Sequence, residues 1–238
     1  MVNQEKAREL NKLLENASSQ EIVNYFMTNY KQEAVFSTSL GAEGQVLTDM
    51  IATRHKDAYI ITLDTGRLFP ETYTLIDKTN KRYHIKIDIF FPDYKKIQEM
   101  VKEKGINLFY ESVENRKLCC HLRKVEPLQR AIKGMNVWIT GRRREQSITR
   151  LNLKPVDWDD QYNMIKVNPL YDWSEQDVWD YIQANGVPYN ELHDKGYPSI
   201  GCEPCTRAVK PGEDIRAGRW WWEEPEKKEC GLHINNKY

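Results

Sequence analysis

This sequence of 238 residues lacks net charge, a long apolar run and an even number of cysteines. Lysine plus arginine and aspartate plus glutamate both number 35, so an anion site has to come from a local cluster, and nucleic acid is not an expected partner. No apolar run is long enough to span a membrane, and the polar N-terminus does not resemble a signal peptide. We therefore expect a cytoplasmic protein, without a membrane partner, whose thiols stay reduced.

The cysteines form two close pairs and one single residue. The pairs are Cys119-Cys120 and Cys202-x-x-Cys205, and the single residue is Cys230. Adjacent cysteines do not readily bond each other, so metal or redox chemistry is favoured over a disulfide framework. Adjacent ligands fit a tetrahedral zinc poorly, whereas the separate iron corners of a 4Fe–4S cluster accept them. The pattern favours iron–sulfur over zinc, and four unrelated thiols are the remaining alternative.

Apolar residues alternate between helical and strand-like spacing along most of the chain. Helices are predicted within residues 1–30, and strands at EAVFS, AYIITL, IKIDIFF, NVWIT and MIKVNPL, with further helices between them. Pro127 must kink or restart the helix that contains the cysteine pair. This alternation indicates an α/β fold with a mostly parallel sheet, covered on both faces.

From about Tyr197 the alternation of strands and helices is lost. We therefore divide the chain into an α/β nucleotide-binding domain (1–196) and a C-terminal segment (197–238) that holds the CxxC pair and ends in a flexible tail.

Three loops that follow predicted strands carry polar side chains. Ser37–Gly44 (STSLGAEG) suits an anion cradle at a helix N-terminus, or is an ordinary strand-to-helix turn. In Leu63–Tyr73, Asp64 and Thr65 can hydrogen-bond a sugar or base, or shape a tight turn. Thr140–Arg150 holds four arginines, which suit phosphate or sulfate oxygens, or form a solvated face. The carboxyl edge of a parallel sheet binds ligands, so two such loops on neighbouring strands favour a bound nucleotide.

Cys230 lies in a polar segment, KKECGLHINNKY, with basic residues before it. Cationic surroundings lower the pKa of a thiol and produce the nucleophilic thiolate. The residues alone leave two interpretations open, a nucleophile carried on a mobile tail or a spare surface cysteine.

Together, the cysteine pattern, the terminal ECGLH, LDTGRLFPETY and the Gly-Ala-Glu loop resemble the iron–sulfur type of assimilatory adenylylsulfate reductase. This type belongs to the adenylylsulfate/phosphoadenylylsulfate (APS/PAPS) reductase family. The resemblance runs from about Ala34 to Asn235. It implies an adenine nucleotide alpha hydrolase-like, Rossmann-like sheet. Gly44 and Phe69 depart from many relatives, which carry an acidic residue and a histidine there, and both departures bear on substrate preference.

The resemblance also implies roles for individual residues. The implied substrate-binding residues are Ser37, Thr38, Ser39, Gly41, Ala42, Glu43, Asp64, Thr65, Gly66, Arg142, Arg143 and Arg144. The implied catalytic residues are Cys230, His233, Arg216, Arg219 and Lys124. The implied ligands of a 4Fe–4S cluster are Cys119, Cys120, Cys202 and Cys205.

The implied reaction is reduction of adenylylsulfate to sulfite and AMP through an S-sulfocysteine on Cys230, in sulfate assimilation and cysteine biosynthesis. Thioredoxin or glutaredoxin is the implied reductant, and the oligomeric state stays open, a homo-oligomer included. The nearest alternative is phosphoadenylylsulfate as sole or second substrate. A second alternative, an adenylating ATP pyrophosphatase, would need a Ser-Gly-Gly-x-Asp-Ser loop, which the sequence lacks. A third is a zinc-stabilised nucleotide-binding module without catalysis.

Overall fold

The structure, a computed structural model, describes residues 2–146 and 150–224. Its α-helices in these ranges are α1 (Gln4–Leu13), α2 (Ser19–Asn29), α3 (Ala42–Ala52), α4 (Pro70–Tyr83), α5 (Tyr94–Lys104), α6 (Val113–Cys120), α7 (Glu126–Ala131) and α8 (Glu175–Asn185). Its strands are β1 (Ala34–Ser37), β2 (Tyr59–Leu63), β3 (Asp88–Phe90), β4 (Val137–Ile139), β5 (Val156–Asp159) and β6 (Met164–Val167). No helix within the described ranges has the length and apolar character needed to cross a bilayer.

Local sequence signals explain where several helices begin and end. The Ser174 hydroxyl caps α8 by accepting a hydrogen bond from the backbone N–H of Asp177, and the Asp177 carboxylate accepts one from the backbone N–H of Ser174. Pro70 occupies the first turn of α4, where its missing N–H costs nothing. Gly186 ends α8 in the left-handed region, with φ of 57°. These residues therefore set where α4 and α8 begin and where α8 ends.

The strands form one sheet in the order β3-β2-β1-β4-β6-β5. All neighbouring pairs are parallel except β5 and β6. The order reverses between β1 and β4, because the chain runs outward from β1 to β3 and then returns to β1's other side. In open α/β sheets, ligands bind at the carboxyl ends of the strands beside such a reversal.

Alternate residues of each strand point to opposite faces of the sheet, and both faces are covered. Phe36 and Ile60 belong to the larger core with α1, α2, α3, α4 and α8, whereas Val35 and Ile61 pack on the other face with α7. Val35, Phe36 and Ile61 are fully buried. The predicted α/β fold with a mostly parallel sheet is confirmed.

Two details differ from the sequence prediction. Val156–Asp159 forms a sixth, antiparallel edge strand that the apolar pattern did not reveal, because it alternates Val and Trp with two aspartates. The helix that contains the cysteine pair begins earlier, at Val113, and passes through a π-helical turn at His121–Val125 before α7. Pro127, predicted to kink or restart this helix, lies in the first turn of α7 directly after the π-helical turn, where it needs no N–H partner.

Candidate active site

The loop between β1 and α3 has the form of an anion cradle. Gly41 precedes the first turn of α3 and, as a glycine, provides no side-chain cap, so the backbone N–H groups of that turn keep hydrogen-bonding capacity for a ligand. Thr38 shapes the loop by accepting the N–H of Leu40 at 3.0 Å. A Cβ atom on Gly44 would lie 2.6 Å from Thr38 Oγ1, so glycine allows the helix to start this close to the loop.

An ion pair between a buried arginine and a partly exposed glutamate supports the cradle from behind. Arg143 is 3% exposed, and its Nε lies 2.9 Å from Glu43 Oε1 in the first turn of α3. Gln146 donates its side-chain N–H to the same carboxylate oxygen at 2.9 Å, and Arg143 Nη1 donates to the carbonyl of Trp173 at 3.0 Å. The structure thus places Arg143 beneath the cradle as its support.

The loop after β2 is held by its own side chains. Asp64 accepts the N–H of Gly66 at 2.7 Å and the hydroxyl of Tyr73 at 2.9 Å. Burial and this hydrogen bond raise the pKa of Tyr73 to about 12. Thr65 lines the main cavity, whereas Asp64 and Gly66 do not, so these two shape the loop that presents Thr65.

A cavity of about 310 Å³ opens where these loops meet at the carboxyl edge of the sheet. This volume lies at the lower end of the range for small-molecule sites. Its charged lining is mostly cationic, although the whole chain has no net charge. The cationic side chains are Lys124, Arg142, Arg143, Arg150, Arg216 and Arg219, and the acidic ones are Glu43 and Glu175. The cavity therefore suits an anionic ligand.

Most of the residues predicted to bind substrate line this cavity. They are Ser37, Thr38, Ser39, Gly41, Ala42, Glu43, Thr65, Arg142 and Arg143, together with Lys124, Arg216 and Arg219 from the predicted catalytic set. Arg144 does not reach it. Its guanidinium lies 4.8 Å from the ring centroid of Tyr171, and its Nε donates to the carbonyl of Leu153. Cys230 and His233 lie outside the described residues, as does the predicted tail.

Several lining residues were missed by the sequence analysis. Trp138 lies within β4, and Trp179 and His193 come from α8 and the turn after it. Burial lowers the pKa of His193, and its ring lies 5.2 Å from that of Trp179. A tryptophan inside an apolar strand gave no signal of a site. For His193, a polar residue in a loop beyond α8 was the only available signal.

The four paired cysteines line one small cavity beside the main one. Cys119 and Cys120 end α6, and Cys202 and Cys205 flank a short turn; each is 8% exposed. Thr65 Oγ1 lies 3.2 Å from Cys202 Sγ, so this pocket adjoins the loop after β2. As the described residues are placed, no group of three or more His, Cys, Asp or Glu side chains could hold a metal ion.

The surroundings of the thiols are apolar in part and cationic in part. Burial, with the nearby Cys202 as a smaller cause, raises the pKa of Cys205 to about 12, and burial also raises the pKa of Cys119. Four cationic side chains line the same cavity, namely Arg67, Arg116, Arg123 and Lys124. A group that binds thiolates would deprotonate the cysteines, and these cations would balance the resulting negative charge. Four thiols with cations beside them have the ligand chemistry of a thiolate-bound metal group, although as placed among the described residues they do not converge on one metal position.

Lys124 connects the two cavities. It lies in the π-helical turn that follows Cys120, and among the described residues it alone lines both the main cavity and the cysteine cavity. Its charge acts to lower the pKa of Cys205, although burial and the nearby Cys202 raise that pKa more strongly. Single π-turns of this kind are frequent at functional sites.

The last described residues are held against the cysteine helix. Glu223 accepts from Arg116 Nε and Nη2 at 2.9 and 2.8 Å, and both side chains are almost fully buried. The guanidinium groups of Arg116 and Arg219 lie 4.8 and 4.7 Å from the ring centroid of Trp220. Arg116 lies about one helical turn before Cys119 and Cys120 on α6. The buried pair thus holds Glu223, seven positions before Cys230, against the helix that carries these two cysteines.

Comparison with known proteins gives consistent results. The family model for the phosphoadenosine phosphosulfate reductase domain matches residues 33–208. An adenosine 5'-phosphosulfate reductase of Burkholderia cepacia is 54% identical over 199 residues, which cover 84% of this chain and 80% of the relative.

Two solved structures extend the comparison. The phosphoadenylyl-sulfate (PAPS) reductase of Candida auris, in a phosphate complex, has a TM-score of 0.75 at 35% identity, covering 88% of this chain and 98% of that one. The FMN adenylyltransferase of Candida glabrata shares the fold alone, with a TM-score of 0.55 at 17% identity over 96% of this chain and 78% of that one. The expected nucleotide alpha hydrolase-like fold is confirmed.

Proposed function

Because the chain belongs to the phosphoadenosine phosphosulfate reductase family, we propose that it reduces adenylylsulfate to sulfite and AMP. The observation that carries this proposal is the cationic cavity at the carboxyl edge of the sheet, built around an uncapped helix N-terminus. An adenine nucleotide with an anionic sulfate end matches such a site. The adenosine 5'-phosphosulfate named for the Burkholderia relative has this chemistry.

The first step is nucleophilic attack by Cys230. Adenylylsulfate is a mixed anhydride of phosphate and sulfate. The thiolate attacks the sulfate sulfur, a new S–S bond forms, and the S–O bond to phosphate breaks. AMP leaves with the electron pair, and Cys230 carries an S-sulfonate.

The second step returns the thiol and releases sulfite. A dithiol protein of the thioredoxin type attacks the Cys230 sulfur with one thiolate, and sulfite leaves with the electrons of the broken S–S bond. The second thiol of the partner then attacks the mixed disulfide. The partner is oxidised to its disulfide, the sulfur of sulfate is reduced by two electrons, and Cys230 is again a thiolate.

Positive charge is required because an anion attacks an anion. Lys124, Arg216 and Arg219 line the cavity and can screen the sulfate oxygens, while Arg142 and the cradle N–H groups suit the phosphate. His233, three residues after Cys230, would act at the same thiol. Closure of the tail over the cavity would exclude water during the transfer.

The same proposal includes a 4Fe–4S cluster held by Cys119, Cys120, Cys202 and Cys205. When bound, it supplies a compact charged group that fixes the cysteine helix and the Cys202–Cys205 turn next to Lys124. The thiol attack on sulfate needs no one-electron carrier, so the role we propose for the cluster is structural and electrostatic. Electron transfer is assigned to the dithiol partner.

We expect the protein purified without oxygen to be brown and to contain about four iron atoms per chain. Because Cys205 is one of four ligands, Cys205→Ser should lose most of the iron and the colour. The measurement is iron and zinc content by elemental analysis with the visible spectrum. A colourless wild-type protein with one zinc would contradict the cluster and favour the zinc alternative.

The function itself is tested by steady-state kinetics with adenylylsulfate and phosphoadenylylsulfate, a thioredoxin and measured sulfite. We expect kcat/KM for adenylylsulfate to exceed that for phosphoadenylylsulfate by at least about 10-fold. The second candidate, phosphoadenylylsulfate as main substrate, is favoured by the similarity to the Candida auris enzyme. A reversed preference would establish it, and no sulfite from either nucleotide would overturn both.

A further inference from the structure

A tryptophan inside the sheet holds the first hydroxyl of the anion cradle. The indole N–H of Trp138, in β4, donates to Ser37 Oγ at the end of β1 at 2.7 Å. Trp138 is 1% exposed, and both residues line the main cavity. Val35 of β1 pairs in register with Trp138, so the geometry is set by neighbouring parallel strands.

A buried lysine lies on the other side of the indole. Lys166 pairs in register with Trp138 on β6, and its Nζ lies 4.3 Å from the Trp138 ring centroid. Lys166 is 3% exposed and is paired at 2.7 Å with Asp159, which is 2% exposed. Asp159 also accepts the backbone N–H groups of Gln161 and Tyr162. A desolvated cation over an aromatic face attracts its π-electrons and thereby strengthens the indole N–H as a donor.

This arrangement decides how Ser37 can bond. A serine hydroxyl accepts at its lone pairs and donates one hydrogen. The indole N–H of Trp138 occupies one lone pair of the Ser37 hydroxyl oxygen, and the indole nitrogen cannot accept a hydrogen bond in return. The hydroxyl hydrogen of Ser37 therefore points toward a different acceptor. The cavity and its cradle are the space that both residues share.

We propose that Trp138, backed by the Lys166–Asp159 pair, is a positioning residue that presents the Ser37 hydroxyl as a donor to the phosphate of the bound nucleotide. The inference rests on the proposed function and adds how one contact to the nucleotide is set. It also gives a reason for the charged pair in an otherwise apolar layer. Without the indole N–H, the Ser37 hydroxyl would rotate among several partners, and its contact with the ligand would weaken.

The test uses AMP binding by titration calorimetry on Trp138→Phe, Ser37→Ala and the double variant, all with their cluster content checked. Trp138→Phe keeps an aromatic side chain next to Lys166 and removes the N–H donor together with the five-membered ring that carries it. We expect each single variant to weaken AMP binding by about 5- to 10-fold, as for loss of one hydrogen bond. We expect the double variant to be no weaker than Ser37→Ala, because Trp138 acts through Ser37.

Activity gives a second readout that a general loss of packing would not reproduce. KM for adenylylsulfate should rise with AMP Kd, while kcat falls by less than about threefold, because the hydroxyl binds the nucleotide and not the sulfur. Should Trp138→Phe fail to fold, Lys166→Met combined with Asp159→Asn removes the charges behind the indole and should weaken AMP binding about two- to threefold.

Unchanged AMP binding in the tested variants, or effects of Trp138→Phe and Ser37→Ala that simply add, would overturn the positioning role. Wild-type protein that binds AMP and releases sulfite in those experiments would leave the proposed function standing. Wild-type protein that does neither would instead overturn the proposed function.

Discussion

Replacing Cys230 with serine is expected to lower sulfite release by about 10⁴-fold or more while AMP binding stays within about twofold of wild type. The serine hydroxyl is far less nucleophilic than a thiolate, so the first bond to the sulfate sulfur does not form. Nucleotide binding survives because the cradle, the cationic lining and the cysteine cavity belong to residues before position 224. Sulfite release with a thioredoxin and calorimetric AMP binding are the two measurements.

A matched control is available in the same segment. Asn236→Ser changes a polar residue near Cys230 and should retain nearly full activity. Mass spectrometry of the wild type, incubated with adenylylsulfate but without reductant, should show one added SO₃ group on the peptide that holds Cys230. Sulfite release by Cys230→Ser at more than a few per cent of the wild-type rate would reject Cys230 as the nucleophile.

The prediction from sequence was most complete where local patterns determine structure. Alternating strands and helices with their caps predicted the parallel sheet, and loops after strands predicted the edge where Ser37 and Thr65 meet. The two cysteine pairs, about eighty residues apart, were grouped by ligand chemistry alone, and all four line one cavity. Such features need no knowledge of the strand order, because each is carried by a short segment.

Side-chain partners across the sheet could not be predicted in this way. Arg143 and Arg144 directly follow Arg142 in sequence, yet Arg143 supports Glu43 from beneath and Arg144 stacks on Tyr171. How each of the three side chains is directed depends on the turn after β4, and sequence spacing does not contain that information. Likewise, the contact between Trp138 and Ser37 depends on β4 pairing with β1, which only the sheet order defines.

Neutralising Lys124 is expected to lower kcat by about 10²- to 10³-fold, the usual cost of one preorganised charge at a reaction centre. Lys124→Gln keeps a polar side chain, about one atom shorter, and removes the charge of the residue that lines both cavities. Lys124→Arg keeps the charge in a different shape and should recover part of the loss. Lys117→Gln, an exposed position on the same helix, is the matched control and should leave kcat unchanged.

Measuring kcat and iron content separately distinguishes two roles of Lys124, action on the sulfate and stabilisation of the cysteine site. If its charge acts on the sulfate, Lys124→Gln keeps its iron and its visible spectrum, and the loss shows in the rate at which Cys230 acquires the SO₃ group. If it acts only by stabilising the cysteine site, iron content falls in proportion to activity, since one of the positive charges lining the cysteine cavity is removed. A kcat within about threefold of wild type with full iron content would exclude Lys124 from the transfer step, leaving Arg216 and Arg219 as the cations that screen the sulfate.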